Sequence, residues 1–247
     1  MRAEHLAIDG SIVSIEADVD LGSQATATGW AIVPSLMRSQ PFTVYPSGHS
    51  RVVEEFARSS FDELSRVPVE EFALKGGNLR IAEVRVRRAT GGTRDLTVGA
   101  WEGRSGCLST SLLGHVKERL IEVFDTLAFS ESARGLAIDS PVVPRPRPPE
   151  VIKEIPELGV VNIRPAVNSE LELIPRTRGF VTKHGELFRR REGGNALLLV
   201  ARSAIARIDP IGEIVPERFV AAAQSLRVEW TLRQHSGPAA QQAGGGR

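Results

Sequence analysis

The sequence predicts an α+β fold in which antiparallel sheets are each covered by an amphipathic helix. Short segments alternate apolar and polar residues with period two, which is typical of half-buried strands. Longer segments repeat apolar residues every three or four positions, which is typical of a helix with one buried face. Gly-Gly pairs at 91–92 and 193–194 separate strand-like runs, and glycine tolerates the backbone of a tight hairpin turn.

Composition places the chain among ordinary globular proteins. Its 247 residues suffice for one large domain or two small ones, and 41% of them are hydrophobic. Lysine and arginine number 31 against 30 acidic residues, so the net charge of +1 gives no general attraction to nucleic acids or anionic membranes. Arginine dominates the cations, which indicates a GC-rich bacterial genome. The alternative is that guanidinium groups grip carboxylates or phosphates.

The N-terminus and the single cysteine bear on location. Residues 1–19 lack the basic region and the apolar stretch of a signal peptide. No apolar run approaches the ~18 residues that a membrane-spanning helix needs. Cys107 alone can form neither an intrachain disulfide nor a cysteine-based zinc site, which fits a reducing compartment. We therefore expect a cytoplasmic protein with no membrane insertion.

The N-terminal elements begin with two strands, at 11–19 and 26–33. The next stretch is predicted to be irregular because three prolines interrupt it: Pro34, Pro41 and Pro46. Residues 49–66 then carry an apolar stripe at helical spacing, and Pro68 marks the end of that predicted helix.

A hairpin and the strongest predicted helix follow. Strands at 79–90 and 94–101 flank the first Gly-Gly pair. Over 109–129, apolar residues keep a 3.6-residue spacing through four turns, and Ser109, Thr110 or Ser111 can cap the start.

The segment 141–149 reads PVVPRPRPP, which predicts extended polyproline II. We therefore predict an N-terminal α+β domain over 1–140, a linker over 141–156 and a C-terminal α+β domain over 157–233. The tail, 234–247, is rich in Gly, Ala and Gln and is predicted to be disordered. The proline-rich run could instead be read by an aromatic groove of a partner.

The predicted C-terminal domain is rich in strands at first, with candidates at 159–164, 171–174 and 179–183. A hairpin joins strands at 187–191 and 196–208 around the second Gly-Gly pair. Pro216 suits the first turn of a helix that runs to about Leu226, and a strand at 228–232 closes the predicted domain.

The two hairpins resemble each other in sequence. The first half contains RVRRATGGTRDLTV and the second contains LFRRREGGNALLLV, each followed by an amphipathic helix. This predicts a duplicated β-hairpin–helix unit, and chance similarity of two exposed hairpins is the alternative. The element order in 79–129, and less clearly in 187–226, loosely resembles the α/β/α sandwiches of the Mog1/PsbP-like superfamily. Because several members of that superfamily are accessory or binding proteins, the resemblance implies an adaptor role.

The turn before the predicted helix holds the candidate ligand-binding residues: Arg104, Ser105, Cys107 and Ser109. A cysteine at a helix N-terminus has its thiolate stabilised by the helix dipole, and Arg104 with free amides could bind an anion. The alternatives are a plain turn and a small buried cysteine beside Trp101. His115 lies two helical turns away, roughly 11 Å, which is too far for a Cys–His pair.

The remaining polar groups show no reactive pattern. The histidines lack metal-ligand spacing, and no phosphate loop, dinucleotide-binding glycine motif or nucleophile elbow occurs. No tyrosine or tryptophan is interleaved with the arginine clusters at 85–88 and 189–191, which argues against nucleic-acid binding. We therefore predict no catalytic residues, no metal and no cofactor.

Together these observations favour a non-catalytic accessory or scaffold protein that acts through protein–protein contacts. It would bind a protein partner or form a homo-oligomer, as a component of a larger bacterial assembly. The alternative hypothesis is a small-molecule-binding domain or an enzyme that uses the loop 102–110.

Overall fold

The computed structural model describes residues 1–22, 24–53, 68–87, 90–139, 148–172, 174–189, 195–212 and 215–233, and most of them lie in β-strands. The strands of the first half are β1 (Arg2–Leu6), β2 (Ile12–Glu16), β3 (Thr26–Val33), β4 (Arg38–Tyr45), β5 (Val69–Leu74), β6 (Gly77–Arg87), β7 (Thr93–Glu102), β8 (Cys107–Leu113), β9 (Phe129–Ser132) and β10 (Gly135–Ile138). Those of the second half are β11 (Glu150–Ile155), β12 (Gly159–Pro165), β13 (Phe180–Val181), β14 (Glu186–Arg189), β15 (Leu197–Val200), β16 (Ala204–Asp209) and β17 (Arg227–Thr231).

Helices are short in the described part of the chain. Helix α1 spans Lys117–Thr126, α2 is a single turn over Asn168–Leu171, and α3 spans Pro216–Ser225. A 3-10 turn, Pro34–Leu36, connects β3 to β4. Pro216 at the start of α3 has the fixed backbone angle that suits a first helical turn, as the sequence predicts.

Twelve strands form one antiparallel sheet in the order β13-β14-β15-β16-β12-β11-β3-β4-β8-β7-β6-β5. The two halves meet where β11 pairs with β3, with Glu150 opposite Thr28 and Ile152 opposite Thr26. The strands follow the same order on either side of this junction. Next to the junction lies a two-strand hairpin, β3–β4 in one half and β11–β12 in the other. Beyond the hairpin lies a four-strand meander, β5–β8 or β13–β16, whose last strand pairs with the hairpin and whose first strand is the edge of the sheet. The junction is therefore the centre of the sheet.

The two faces of this sheet are covered differently. On the first face lies one continuous core, to which α1 contributes Leu120 and Phe124 and α3 contributes Phe219. The small sheet β1-β2-β17 packs into the same core. On the second face, two separate apolar clusters lie over the flanks, one around Val84 on β6 and the other on β14 to β16.

The predicted fold class is wrong. The chain is mostly β, and a single sheet of twelve strands replaces two sheets that each carry a covering helix. Both longer helices pack into one shared core on one face. The α/β/α sandwich that the Mog1/PsbP resemblance implied is therefore also wrong. The reason is the β3–β11 pairing, which continues the hydrogen-bonded ladder across the middle of the chain.

The helix predicted over 109–129 is wrong in its first part. Cys107–Leu113 is β8, and α1 begins only at Lys117. The segment Leu-Ser-Thr-Ser-Leu-Leu permits either period, and pairing with β7 along the whole of β8 decides for the strand. Gly114 then takes a positive φ of 86°, which ends the strand before the helix starts.

The irregular stretch predicted around Pro41 is also wrong, because Pro41 lies within β4. The β4–β8 register covers only Thr43 to Tyr45, which leaves the ladder incomplete beside the proline. Side-chain hydrogen bonds join the two strands there: Gln40 Nε2 donates to Thr110 Oγ1 at 2.9 Å and to the carbonyl of Ser111 at 2.7 Å. Thr110 Oγ1 in turn donates to the carbonyl of Pro41 at 2.6 Å.

Of the other local predictions, some are confirmed and some are wrong. The strand at 26–33 is confirmed as β3, and the hairpin across the first Gly-Gly pair is confirmed by the β6–β7 pairing. A strand at 171–174 is wrong, since Leu171 ends α2. The predicted strand 196–208 is two strands, β15 and β16.

Several predictions fall on residues that lie outside the described ranges. These are most of the helix 49–66, the first part of the linker 141–156 and the tail 234–247. The later part of that linker range contains β11, which pairs with both β3 and β12. Within the described ranges, no helix has the length and apolarity needed to cross a bilayer.

Candidate functional site

The loop 102–110 does not gather the four predicted ligand-binding residues at one place. It is the turn between β7 and β8, so no helix begins there. Arg104 is exposed and Ser105 is half-buried, whereas Cys107 and Ser109 are buried in β8. Cys107 packs in the apolar cluster on the second face, while Ser105 turns toward the β9–β10 hairpin.

Cys107 has the environment of a packing residue. Its thiol is buried, and burial together with the charge of Glu102 raises its pKa to about 12, against a smaller opposing effect of Arg80. The thiol is therefore protonated near neutral pH. Trp101 contributes to the core on the first face, so the two side chains belong to different clusters.

Ser105 is held by Glu131 of β9. The backbone amide of Ser105 donates to Glu131 Oε1 at 2.8 Å, and its hydroxyl donates to the same oxygen at 2.9 Å. These bonds tie the loop to the β9–β10 hairpin. Of the four predicted residues, Ser105 is the one that lines the large cleft of the described structure.

This cleft has a volume of about 520 Å³. It is bounded by β1, the start of β3, the end of β4, the β9–β10 turn and Val151 of β11. The residues that supply side-chain polar groups to its lining are Glu4, His5, Gln24, Thr26, Tyr45, Ser47, Ser105 and Arg134. A volume of this size is typical of sites for small molecules.

One wall of the cleft is an ion-paired rim. Glu4 accepts from Arg134 Nε at 3.1 Å and from Arg2 Nη2 at 2.9 Å. Two guanidinium groups thus share one carboxylate, and of the three side chains those of Glu4 and Arg134 belong to residues that line the cleft. The backbone amide of Leu6 also donates to the carbonyl of Arg134 at 3.3 Å, so β1 and the β9–β10 turn are joined at this edge.

His5 lies beside this rim with an unusual environment. Its Nε2 is buried and has no hydrogen-bond partner in the described part of the chain. Burial, and secondly the nearby charge of Lys153, lowers the pKa of His5 from 6.5 to about 4. The imidazole is therefore neutral near pH 7, with one ring nitrogen unsatisfied.

Lys153 is a buried cation that binds two residues of the cleft lining, Gly22 and Gln24. The residue is 1% exposed and lies in the core-facing row of β11 between Val151 and Ile155. Its Nζ donates to the carbonyls of Gly22 at 3.1 Å and Gln24 at 2.9 Å. Burial lowers the pKa of Lys153, and the charge of Asp20 opposes this shift. Neither Asp20 nor any other carboxylate among the described residues forms a salt bridge with Lys153.

Sequence reasoning did not single out His5 or Lys153. The signal for Lys153 was present, because a lysine replaces an apolar residue in the alternating run Val151, Lys153, Ile155. His5 gave no comparable signal, since its environment depends on β1, β10 and β11 coming together. The lining of the cleft comes from distant segments, which spacing along the chain does not reveal.

A second candidate surface lies at the centre of the second face. Burial alternation on β3, β4, β11 and β12 directs one set of side chains into the core and the other set away from it. The adjoining outward apolar residues, which we name the Trp30 strip, are Trp30 and Ile32 on β3 and Pro41 on β4. Two other outward apolar residues, Ile152 and Val160, lie four or more register positions from Trp30, beyond Glu150. Trp30 is directly opposite Pro41, and Ile32 is 41% exposed.

The Trp30 strip lies between the two apolar clusters of the second face, which occupy the flanking strands. Its residues belong to neither cluster. At one end, Arg164 of β12 binds Glu150 at 3.0 Å and Glu170 at 3.1 Å, which gives that border a fixed charged group. The Trp30 strip is thus a small apolar patch on β3 and β4 that borders this ion pair, and an apolar patch beside polar groups is common in protein interfaces.

Comparison of this chain with protein-family profiles, curated protein sequences and solved structures finds no match. Among the described residues, no group of three or more His, Cys, Asp or Glu side chains could hold a metal ion. The Trp30 strip and the cleft are therefore two candidate functional surfaces of the described structure.

Proposed function

We propose that the protein is a non-catalytic accessory or scaffold protein that binds a partner protein at the Trp30 strip. The observation that carries this proposal is the half-buried Trp30 at the centre of the sheet, in neither of the apolar clusters that the described residues form over its flanks. Of the three tryptophans, Trp101 and Trp230 are buried in the core. Tryptophan in a partly open apolar patch is the residue type most enriched at the energetic centre of protein interfaces.

The spacing between the flanking clusters favours a helix as the bound element. Strands in a sheet are ~4.8 Å apart, so the axes of β4 and β12 are separated by about 14 Å across the four central strands. A helix with its side chains is ~10–12 Å wide. One apolar helix of a partner therefore fits between the two flanking clusters, in the manner of a helix in a groove.

The chemistry of the strip favours an apolar helix face. Its side chains carry no charge, and Glu150, which is paired with Arg164, lies opposite Thr28, one outward position from Trp30. Burying Ile32 and the exposed part of Trp30 removes apolar area from water, worth roughly 25 cal/mol per Å² before the cost of association. A component that presents such a surface would serve as an adaptor in a larger bacterial assembly.

The experiment compares two lysine substitutions at exposed apolar residues. Ile32→Lys places a charge in the strip, whereas Met37→Lys places one in the β3–β4 turn, where Met37 is 91% exposed. Tagged wild type and both variants are purified from native cell lysate, and the bound proteins are identified and quantified by mass spectrometry. Sizing with mass measurement is run in parallel on each purified protein.

The proposal expects a stoichiometric partner with wild type and with Met37→Lys, reduced at least about tenfold with Ile32→Lys because a buried unpaired charge costs more than 1.4 kcal/mol. Equal capture by all three proteins, or no stoichiometric partner, contradicts it. A defined oligomer that only Ile32→Lys dissociates would show that a second copy of the chain occupies the strip, which would overturn a distinct helical partner.

A further inference from the structure

Strand β13 is one of the two outer edges of the twelve-strand sheet, and β5 is the other. Among the described strands β13 pairs with β14 alone, with Val181 opposite Glu186. The amide of Thr182 donates to the carbonyl of Gly185 at 2.8 Å, and hydrogen-bonded pairs alternate with non-bonded pairs along an antiparallel ladder. The N–H and C=O of Val181 therefore point away from β14, where no described strand pairs with them.

Both side chains of β13 are apolar and exposed. Phe180 is 58% exposed and Val181 is 66% exposed, and they lie on opposite faces because side chains alternate along a strand. Proteins usually protect an open sheet edge by making it short, charged or covered. β13 is short, but its two side chains leave apolar surface on both faces. The edge therefore offers backbone and side-chain contacts to another extended segment.

Cations flank β13 at both ends. Arg176 and Arg178 precede it and Lys183 follows it, and within the described ranges none of these three side chains forms a hydrogen bond or a salt bridge. The segment 176–189 contains four Lys and Arg residues and one acidic residue, Glu186, whose carboxylate accepts from the amide of Gly179 at 2.7 Å. The edge is thus positive, and this charge attracts a segment of the opposite sign.

The β5 edge differs in this respect. Its two carboxylates already bind cations of the same chain, because Glu70 accepts from Lys117 Nζ at 2.9 Å and Glu71 from Arg80 Nη2 at 2.8 Å. The β5 strand of a second copy therefore has no unpaired carboxylate to offer. Two β13 edges would bring like charges together, which disfavours pairing of β13 with itself.

We propose that the β13 edge binds an extended acidic segment of a partner protein, which adds a strand to the sheet. The N–H and C=O of Val181 hydrogen-bond to the backbone of that segment, and its apolar side chains pack on Phe180 and Val181. Its carboxylates pair with Arg178 and Lys183. A nucleic acid carries the same sign of charge but has no peptide groups that continue the ladder. This binding mode does not depend on the Trp30 strip.

The test uses the full chain and a fluorescein-labelled, end-blocked octapeptide of alternating Glu and Val, with fluorescence anisotropy as the readout. A Lys–Val octapeptide controls for charge, and an oligothymidine strand of equal length controls for nucleic-acid binding. A fully N-methylated Glu–Val octapeptide keeps the side chains but has no backbone donors.

Two double variants test the flanking cations. Arg178→Gln with Lys183→Gln removes the charges beside β13. Arg119→Gln with Arg218→Gln is the matched control, because it makes the same change in net charge at exposed positions on α1 and α3 that form no salt bridge among the described residues.

The Glu–Val peptide is expected to bind and the Lys–Val peptide is not, and added NaCl should weaken the binding because the charges are exposed. N-methylation should weaken binding at least about fivefold, because the backbone hydrogen bonds are lost. The double variant at 178 and 183 should lose about fivefold in affinity, and the control variant should stay within about twofold of wild type.

The proposal is overturned if the Glu–Val peptide does not bind, if the Lys–Val or the N-methylated peptide binds equally well, or if both double variants lose equal affinity. Tighter binding of oligothymidine than of the Glu–Val peptide would assign the edge to nucleic acid. A homodimer that Val181→Pro dissociates would assign it to a second copy, because proline removes the outward N–H. Either result would also overturn the proposal.

Discussion

Gln40 donates a hydrogen bond to Thr110 across the β4–β8 pairing, at 2.9 Å. This contact stands where Pro41 removes a backbone donor from a strand in the middle of the sheet. A proline in a central strand is normally excluded because it breaks the ladder. Here a buried side-chain amide and a hydroxyl bridge the two strands at that position.

Replacing Gln40 by alanine is expected to lower the free energy of unfolding by about 1–3 kcal/mol, because Thr110 and the Ser111 carbonyl lose a buried donor. Urea unfolding monitored by circular dichroism measures this change. Gln24→Ala is the control, since the side chain of Gln24 is exposed. Equal stability of the two variants would show that the Gln40 contacts contribute nothing.

Gly99 of β7 is the point at which α1 meets the sheet. A Cβ at this position would lie 2.7 Å from Leu120 Cδ2 and 3.1 Å from Phe124 Cε2. Gly99→Ala is therefore expected to lower the free energy of unfolding by about 1–3 kcal/mol, although alanine otherwise suits a strand better than glycine.

Leu120→Ala tests the stated cause of the Gly99 effect. If the methyl group clashes with Leu120, the double variant should be more stable than the sum of the two single losses predicts, with a coupling above about 0.5 kcal/mol. Strict additivity in urea unfolding would exclude this contact as the reason.

His5 predicts a pH dependence of stability. Its pKa is about 4 in the folded protein and 6.5 when unperturbed, so the unfolded state binds more protons between these values. The free energy of unfolding should therefore decrease as the pH falls from about 6.5 to 4. Because His5 is only half-buried, we expect at most about 2 kcal/mol from this group.

His5→Gln should flatten the stability profile over that pH range, and His49→Gln, at an exposed position, serves as the comparison. The measurement is urea unfolding at pH 4.5 and pH 7. If wild type and His5→Gln lose equal stability on acidification, the assigned cause is wrong.

Cys107 predicts a pH dependence of stability in alkaline solution. Its pKa rises from 9.0 to about 12 on folding, so the unfolded state loses this proton first and stability should decrease between those values. Other groups titrate in this range, so the informative quantity is the difference between wild type and Cys107→Ala. That difference should shrink or reverse as the pH rises from 9 toward 11.

Thiol labelling tests the role of Cys107 independently. A protonated, buried thiol should react with a maleimide only at the rate of unfolding, and rapidly in urea. Fast labelling of the native protein near pH 7 would contradict the packing role and would restore the hypothesis of an enzyme that uses the loop 102–110.

Local patterns predicted strands and missed how they combine. Period two in 26–33 identified β3 correctly, because burial on one face alone dictates that alternation. In 107–113 the same residues permit strand or helix, and pairing with β7 decides. The single sheet depends on β3 meeting β11 more than a hundred residues later, and such pairing leaves no periodic signal in either strand.

The candidate sites also depend on contacts between segments that are distant in sequence. Lys153 could have been recognised from its place in an apolar alternation, whereas the lining of the cleft comes from six separate segments. The Trp30 strip lies at the centre of the sheet only because β3 pairs with β11, whereas its apolar residues all lie on β3 and β4. The loop 102–110 attracted attention through Cys107, yet only Ser105 reaches the cleft.

The most direct test of the account is photo-crosslinking in the native cell, with a benzophenone amino acid at position 32 or at position 37. Both positions are exposed, and only the first lies in the Trp30 strip. Partner binding at the strip predicts one discrete product of higher mass from position 32 and none from position 37. No product from position 32, or equal products from both positions, would contradict the claim that this strip is the contact surface of the protein.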